Sequence, residues 1–276
     1  MAYAIPDKHT AAMKYLTASQ IHHFHTDGYL VIDDFLSPAT VQAVEAGIAR
    51  RCADLATMSS DQGSFNLEKV GDEHFNPKAA AKRPGMLRKI QGAVFEVPQV
   101  CDVFTSTAMV DCMEDLMGPD IYYHSSKVMF KPAGGGAPKP WHQDAAYWTQ
   151  YASRQITVWI AIHDANAENG CVWAIPGSHK LGLIPHSELE LQVKDAQIDI
   201  AKALPVPVKP GGMLIFHSLV LHMSHKNSSD QDRWAIICDY DCNPNPIVEE
   251  WKGRTISGID ERGVWPLRQA ATVAVS

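Results

Sequence analysis

From Ile121 onward the chain changes character. Short stretches rich in β-branched and aromatic residues (IYYHSSKVMF, ITVWIAI, CVWAI, MLIF, VLHMS, RWAIICDY) alternate with turns of Gly, Pro and Asn. Many short strands at modest spacing build a sandwich, a barrel or a jelly roll. The first part reads differently. Residues 17–28 (TASQIHHFHTDG) have a polar start, a periodic run and a closing glycine, which predicts a helix of two to three turns, and GYLVIDDF predicts a strand. Ser37 and Pro38 open a second helix running to about Met58, with Val41, Val44, Ile48 and Leu55 on one face. A third opens at Pro98, buries Val100, Phe104, Val110 and Met113, and ends near Gly118.

The polar stretch 59–90 is broken by Gly63, Gly71, Pro77, Pro84 and Gly85, and is expected to be a long loop acting as a mobile lid over the site. No repeat or Ser/Gly linker divides the chain. The expectation is one domain over 1–276: a mainly helical elaboration over 1–118, the β core over 119–245 and an extension over 246–276.

At 276 residues with 46% apolar, the chain can build its core without disulfide or metal staples. Lys and Arg total 24 against 31 Asp and Glu, a formal net charge of −7 with no basic run, so nucleic acid is not an expected partner. No apolar run approaches the roughly 20 residues that span a bilayer, and the start carries no basic region leading into an apolar core. A membrane partner is not expected. The six scattered cysteines read as reduced thiols of a cytoplasmic protein.

Chemistry enters with Trp141-His142-Gln143-Asp144. On an extended strand, residues two apart point to one face about 6 to 7 Å apart, so His142 and Asp144 can converge on one ion. Far downstream, the turn cluster Asn227 to Asp230 separates two apolar stretches. A hairpin centred between Asn227 and Ser228 places His222 opposite Arg233, with Ser224 on the same face and His225 and His217 pointing away. Two His and one Asp with open positions suit a non-haem Fe(II) oxygenase, although zinc accepts the same ligands. A buried Arg233 favours iron: it needs an anion, and a dicarboxylate that chelates the metal at one end offers its other end to Arg233 and Ser224.

With these motifs the sequence resembles the phytanoyl-CoA dioxygenase family of Fe(II)/2-oxoglutarate oxygenases. The resemblance runs from LTASQIHHFHTDGYLVIDDFLSP through KPWHQD and TVWIAIHDANAENGCVWAIPGSHK to LHMSHKNSSDQDR. It implies a mainly β fold with flanking α, a double-stranded β-helix (jelly-roll, cupin-like) core with the N-terminal helices packed outside. It also implies His142, Asp144 and His222 as the catalytic iron ligands, and Arg233 and Ser224 as anchors of the distal 2-oxoglutarate carboxylate, with O2 as the other cosubstrate. Trp159 and Lys127 are further candidates for the cosubstrate site; Gln143, Trp148 and Tyr151 flank the ligands as candidates for lining the substrate site. Pro176 to His179 is read as a turn. Asp144 argues against a halogenase, in which a small residue replaces the carboxylate.

The expected reaction is oxidative decarboxylation of 2-oxoglutarate to succinate and CO2, coupled to hydroxylation or a related C–H oxidation of a small or medium-sized metabolite. Biosynthetic tailoring of a secondary metabolite fits better than lipid catabolism, because no basic patch marks a site for CoA phosphates. Two rivals remain open on sequence. A zinc hydrolase using the same triad has no need of Arg233 and Ser224, and a non-catalytic jelly-roll binder has no need of the ligands. Nothing in the sequence bears on oligomeric state.

Overall fold

The first helix starts with a capping box: the Thr17 hydroxyl accepts from the Gln20 amide while the Gln20 side chain accepts from the Thr17 amide. Helix α1 (Ala18–Asp27) ends at Gly28, which takes φ 83°. A Cβ there would also strike the His179 ring and Val220, so the position demands glycine twice over. Strand β1 (Tyr29–Ile32) follows, and then Ser37 caps α2 (Pro38–Asp54), which buries Val41, Val44 and Ile48. The computed structural model describes residues 13–69, 82–147, 154–187, 192–194, 197–242 and 265–268.

Two expectations for the region before Ile121 need correction. Residues 59–90 are not simply a loop: β2 (Phe65–Lys69) and β3 (Lys82–Gln91) pair antiparallel and extend the main sheet, burying Leu67, Leu87 and Ile90. Their half-buried, polar composition hides the alternation. The middle of the proposed lid, 70–81, lies outside the described residues. After α3 (Ala93–Glu96), the expected single helix from Pro98 is two, α4 (Pro98–Phe104) and α5 (Thr107–Met117). The break has a local cause. The Ser106 hydroxyl accepts from the Met109 amide and donates to the Val103 carbonyl, starting a new helix while the apolar stripe stays buried.

The remaining strands are β4 (Ile121–Lys131), β5 (Lys139–His142), β6 (Gln155–Ala161), β7 (Val172–Ala174), β8 (Leu204–Val206), β9 (Met213–His217), β10 (His222–Ser224), β11 (Arg233–Asp241) and β12 (Trp265–Arg268). They form two antiparallel sheets. The large one has eight strands in the order β1-β9-β6-β11-β4-β3-β2, with β12 also on β4; the small one is β5-β10-β7-β8. The N-terminal portion is therefore not only helical, since it supplies three strands of the large sheet.

Strand alternation assigns each face of the large sheet a partner. Val128, Ile156, Val158, Ile160, Ile215, Ile236 and Tyr240 turn outward and join the helices in one core. Trp159, Ala161, Leu214, Phe216, Ala235 and Ile237 turn inward and meet Val172, Ala174 and Val206 of the small sheet. Two facing sheets with helices on one outer face make the jelly-roll core expected from sequence. The functional side chains stand in the space between the sheets.

Candidate metal centre

His142 ends β5 and His222 starts β10, and the two are paired directly across the small sheet. Asp144 is not on the strand as expected; it opens a one-turn 3-10 helix, Asp144–Tyr147. The turn still delivers its carboxylate. Asp144 Oδ1 lies 3.4 Å from His142 Nε2 and 3.7 Å from His222 Nε2. Among the described residues this is the one cluster of His, Cys, Asp or Glu whose ligand atoms all fall within 4.8 Å of one another.

The backbone decides which nitrogen each imidazole offers. His142 Nδ1 is 2.9 Å from the Pro140 carbonyl, and His222 Nδ1 is 3.0 Å from the Val220 carbonyl. A carbonyl only accepts, so each Nδ1 carries the proton and each Nε2 turns a lone pair toward the other ligands. Protonation states agree with this. Burial, reinforced by His222 and Lys139, pushes the His142 pKa down to about 3, and burial also lowers that of His222. Burial alone would raise Asp144, but His222, His142 and Lys127 reverse it and hold the carboxyl well below its ordinary range. Two neutral imidazoles and one carboxylate on a buried, three-point face fit a divalent metal with open positions.

Arg233, at the start of β11, is 3% exposed. Its guanidinium carbon sits 5.3 Å from the centre of the Trp159 ring. Among the described residues no carboxylate pairs with it and its Nε has no acceptor. Burial pushes its pKa down to about 10. Its cross-strand partner Lys131, whose Nζ donates to the carbonyls of Ala137 and His225, 2.5 Å from each, is also basic and offers the guanidinium no acceptor. Buried charges are paired in stable proteins, so this one awaits an anion.

The expected hairpin is corrected. His222 does not face Arg233 across a two-strand ladder: β10 pairs with β5 and β7, whereas β11 pairs with β4 and β6. The turn cluster carries the chain from one sheet to the other, with Asn227 Nδ2 donating to the Lys131 and Gln231 carbonyls and the Ser228 amide to Glu168. Ser224 lies opposite Val172, whose side chain belongs to the inter-sheet core, so Ser224 remains on the inward side.

Other candidates divide. Lys127 faces inward, 3.8 Å from Asp239 Oδ2; burial opposes its charge, but Asp239 and Asp144 outweigh burial and raise its pKa. Gln143, a candidate for lining the substrate site, has its side-chain amide engaged by the backbone. It is fully buried, its Nε2 donates to the Gly182 and Leu219 carbonyls, and its Oε1 accepts from Ile184, so its amide is a strut holding the ligand loop. His179 packs on Gly28 and His217, 5.7 Å between the rings, with Nε2 at the His25 carbonyl. Trp148 and Tyr151 lie outside the described residues. Sequence reasoning passed over Thr157, whose hydroxyl is 2.9 Å from Asp144 Oδ2, and Asp239 behind it. The available signal was a polar residue at an inward position of each of two apolar strands. Among the described residues no helix is long and apolar enough to cross a membrane.

Comparison with known proteins agrees with this geometry. At 30% identity, over 80% of this chain and 88% of its relative, the chain is similar to phytanoyl-CoA dioxygenase domain-containing protein 1 of Danio rerio. It is 27% identical to a methylphosphonate hydroxylase of Gimesia maris, over 90% of this chain and 91% of that one. Among solved structures, EctD from S. alaskensis with bound Fe superposes with a TM-score of 0.69 at 20% identity, covering 90% of this chain and 84% of EctD. The model of the phytanoyl-CoA dioxygenase (PhyH) family matches residues 24–235, and with most of its length inside that match this chain belongs to the phytanoyl-CoA dioxygenase family, an enzyme of the iron- and 2-oxoglutarate-dependent oxygenase class.

Proposed function

We propose that the protein hydroxylates, or oxidises in a related way, a C–H bond of a small or medium-sized metabolite. In this reading His142, Asp144 and His222 hold Fe(II), while Arg233 and Ser224 anchor the distal carboxylate of 2-oxoglutarate beside Trp159. The observation that carries it is the guanidinium of Arg233, 3% exposed and without a carboxylate partner among the described residues. A zinc hydrolase has no use for such a group. A dicarboxylate cosubstrate does, because bidentate charged hydrogen bonds fix its position and offset the cost of burying the cation.

The iron supplies the oxidising chemistry when bound, consuming O2 and 2-oxoglutarate and releasing succinate and CO2. The chain's own residues present two neutral imidazoles and one carboxylate, position the cosubstrate, and surround it with an apolar inter-sheet core that excludes water. Lys127 and the 3-10 turn at Tyr147 border the ligands and are proposed to face the substrate. A tailoring step in secondary metabolism, carried out by a single domain, is the proposed setting. All six cysteines are free, which supports a reducing, cytoplasmic location.

The test is succinate formation from 2-oxoglutarate by purified protein with Fe(II), Zn(II) or no metal, across a metabolite panel. Turnover with Fe(II) alone, stimulated by one substrate class, is the expected result. Turnover with zinc, or none with any metal, refutes the reading.

A further inference from the structure

One row of side chains crosses the inner face of the large sheet at the level of the ligands. The register places Ser125 opposite Asp239, Asp239 opposite Thr157, and Thr157 opposite Phe216, on four neighbouring strands. The last two members of the row reach ligands. The Thr157 hydroxyl is 2.9 Å from Asp144 Oδ2, and the Phe216 ring lies 4.6 Å from that of His222. Three polar residues in a row on a face they share with Trp159, Ile237 and Leu214 are costly unless they satisfy one another.

Two carboxylates compete for one hydroxyl proton in this row. Thr157 Oγ1 is also 2.9 Å from Asp239 Oδ1, yet a hydroxyl has one proton and serves one carboxylate at a time. Asp239 is served from its other side: the Ser125 hydroxyl donates to its Oδ2, and the Lys127 ammonium stands 3.8 Å away. That supply leaves the Thr157 proton for Asp144. Asp144 Oδ2 is thereby engaged, and Oδ1, the oxygen nearest both Nε2 atoms, is the one left for a metal.

We propose that Thr157 is a positioning residue that holds Asp144 as a one-oxygen ligand, with Asp239, Ser125 and Lys127 as the support that commits its proton to that task. The inference rests on reading the triad as a metal site. Without the hydroxyl, the carboxylate is free to rotate away from the two imidazoles, which weakens the three-point face without touching the cosubstrate anchor at Arg233.

Co(II) serves as the probe, by direct titration and by its visible absorption, beside wild type, Thr157→Val and Thr157→Ser, with circular dichroism melts to confirm folding. Partners of this kind contribute about 10- to 100-fold in metal affinity. Thr157→Val is expected to weaken Co(II) by about tenfold or more and to change the intensity of its visible bands, whereas Thr157→Ser restores both. Affinity of the metal-loaded protein for 2-oxoglutarate is expected to stay close to wild type, separating this role from that of Arg233. Thr157→Ala, which removes the same hydroxyl, takes the place of the valine variant if that does not fold. Unchanged Co(II) affinity and spectrum in the hydroxyl-free variant overturns the positioning role alone. A wild-type protein that binds neither Co(II) nor Fe(II) overturns the metal site and this inference with it.

Discussion

Replacing Arg233 with Met is expected to move stability and cosubstrate binding in opposite directions. In the protein without 2-oxoglutarate, the guanidinium is buried and held at a pKa of about 10 against an ordinary 12.5. At about 1.4 kcal/mol per unit, that difference corresponds to roughly 3 kcal/mol of unfavourable burial of the charge. Its contact with the Trp159 ring returns about 1 kcal/mol, and the aliphatic stem is preserved in Met. The net expectation is stabilisation of the ligand-free protein by about 1 to 2 kcal/mol, a rise in Tm of roughly 2 to 8 °C for a chain of this size. Binding pulls the other way. Each charged hydrogen bond is worth about 1.5 to 3 kcal/mol, so losing a bidentate pair weakens 2-oxoglutarate by at least about 100-fold. Arg233→Lys recovers only part, because an ammonium cannot present two parallel donors. Differential scanning fluorimetry with and without 2-oxoglutarate, plus calorimetric titration, reads both quantities. A variant that melts several degrees lower without ligand shows that Arg233 is satisfied by the fold itself, and one that binds 2-oxoglutarate like wild type places the cosubstrate elsewhere; either result ends the argument.

Alanine at His142, Asp144 or His222 is expected to abolish Fe(II)-dependent succinate formation while leaving the melting transition intact; full activity in any of the three without added ligand removes that residue from the triad. Gln143→Leu leaves the buried Leu219 carbonyl and two half-buried partners, the Gly182 carbonyl and the Ile184 amide, unserved, so a loss of about 1 to 3 kcal/mol in denaturant unfolding is expected. His217 is held neutral, its pKa pushed down to about 3 by burial and by His179 and His25. The unfolded chain then binds a proton near pH 6.5 that the folded chain refuses, so stability is full above that pH and is lost as pH falls toward 3. At pH 5 this amounts to about 2 kcal/mol, and the difference in unfolding free energy between pH 7.5 and pH 5 is expected to shrink by that much in His217→Gln.

The triad was legible because His142 and His222 sit on short strands and the motif around Trp141 carries a family resemblance with it, although Asp144 reaches them from a 3-10 turn and not through strand parity. Strand partners were not. The segment from Asn227 to Asp230 has the chemistry of a reversal, but turn chemistry does not say which strands flank the chain after it turns. Here the chain leaves the small sheet and enters the large one. Strands β2 and β3 escaped notice because alternation fades when both faces are half covered. Gln143 looked like a lining residue from its place between two ligands; only the positions of Gly182, Ile184 and Leu219, brought in from elsewhere in the chain, reveal that its amide is fully engaged. Thr157 and Asp239 were visible as polar letters in apolar strands, yet their meaning depends on a register that pairs them.

The small sheet is built from very short strands, three of them only three residues long, and two of the proposed ligands sit directly opposite each other on its first pair, β5 and β10. Such a sheet has little internal cooperativity of its own, and a metal bridging those strands to the Asp144 turn acts as a clasp. By mass action, a ligand at about 100 times its Kd adds roughly 2.7 kcal/mol to whatever conformations it binds. Here that increment falls on the segment least able to hold itself closed. Opening of this half of the barrel and escape of the metal then become a single event, and the slow exchange of amide hydrogens in β5 and β10 becomes a clock for how long the enzyme stays armed.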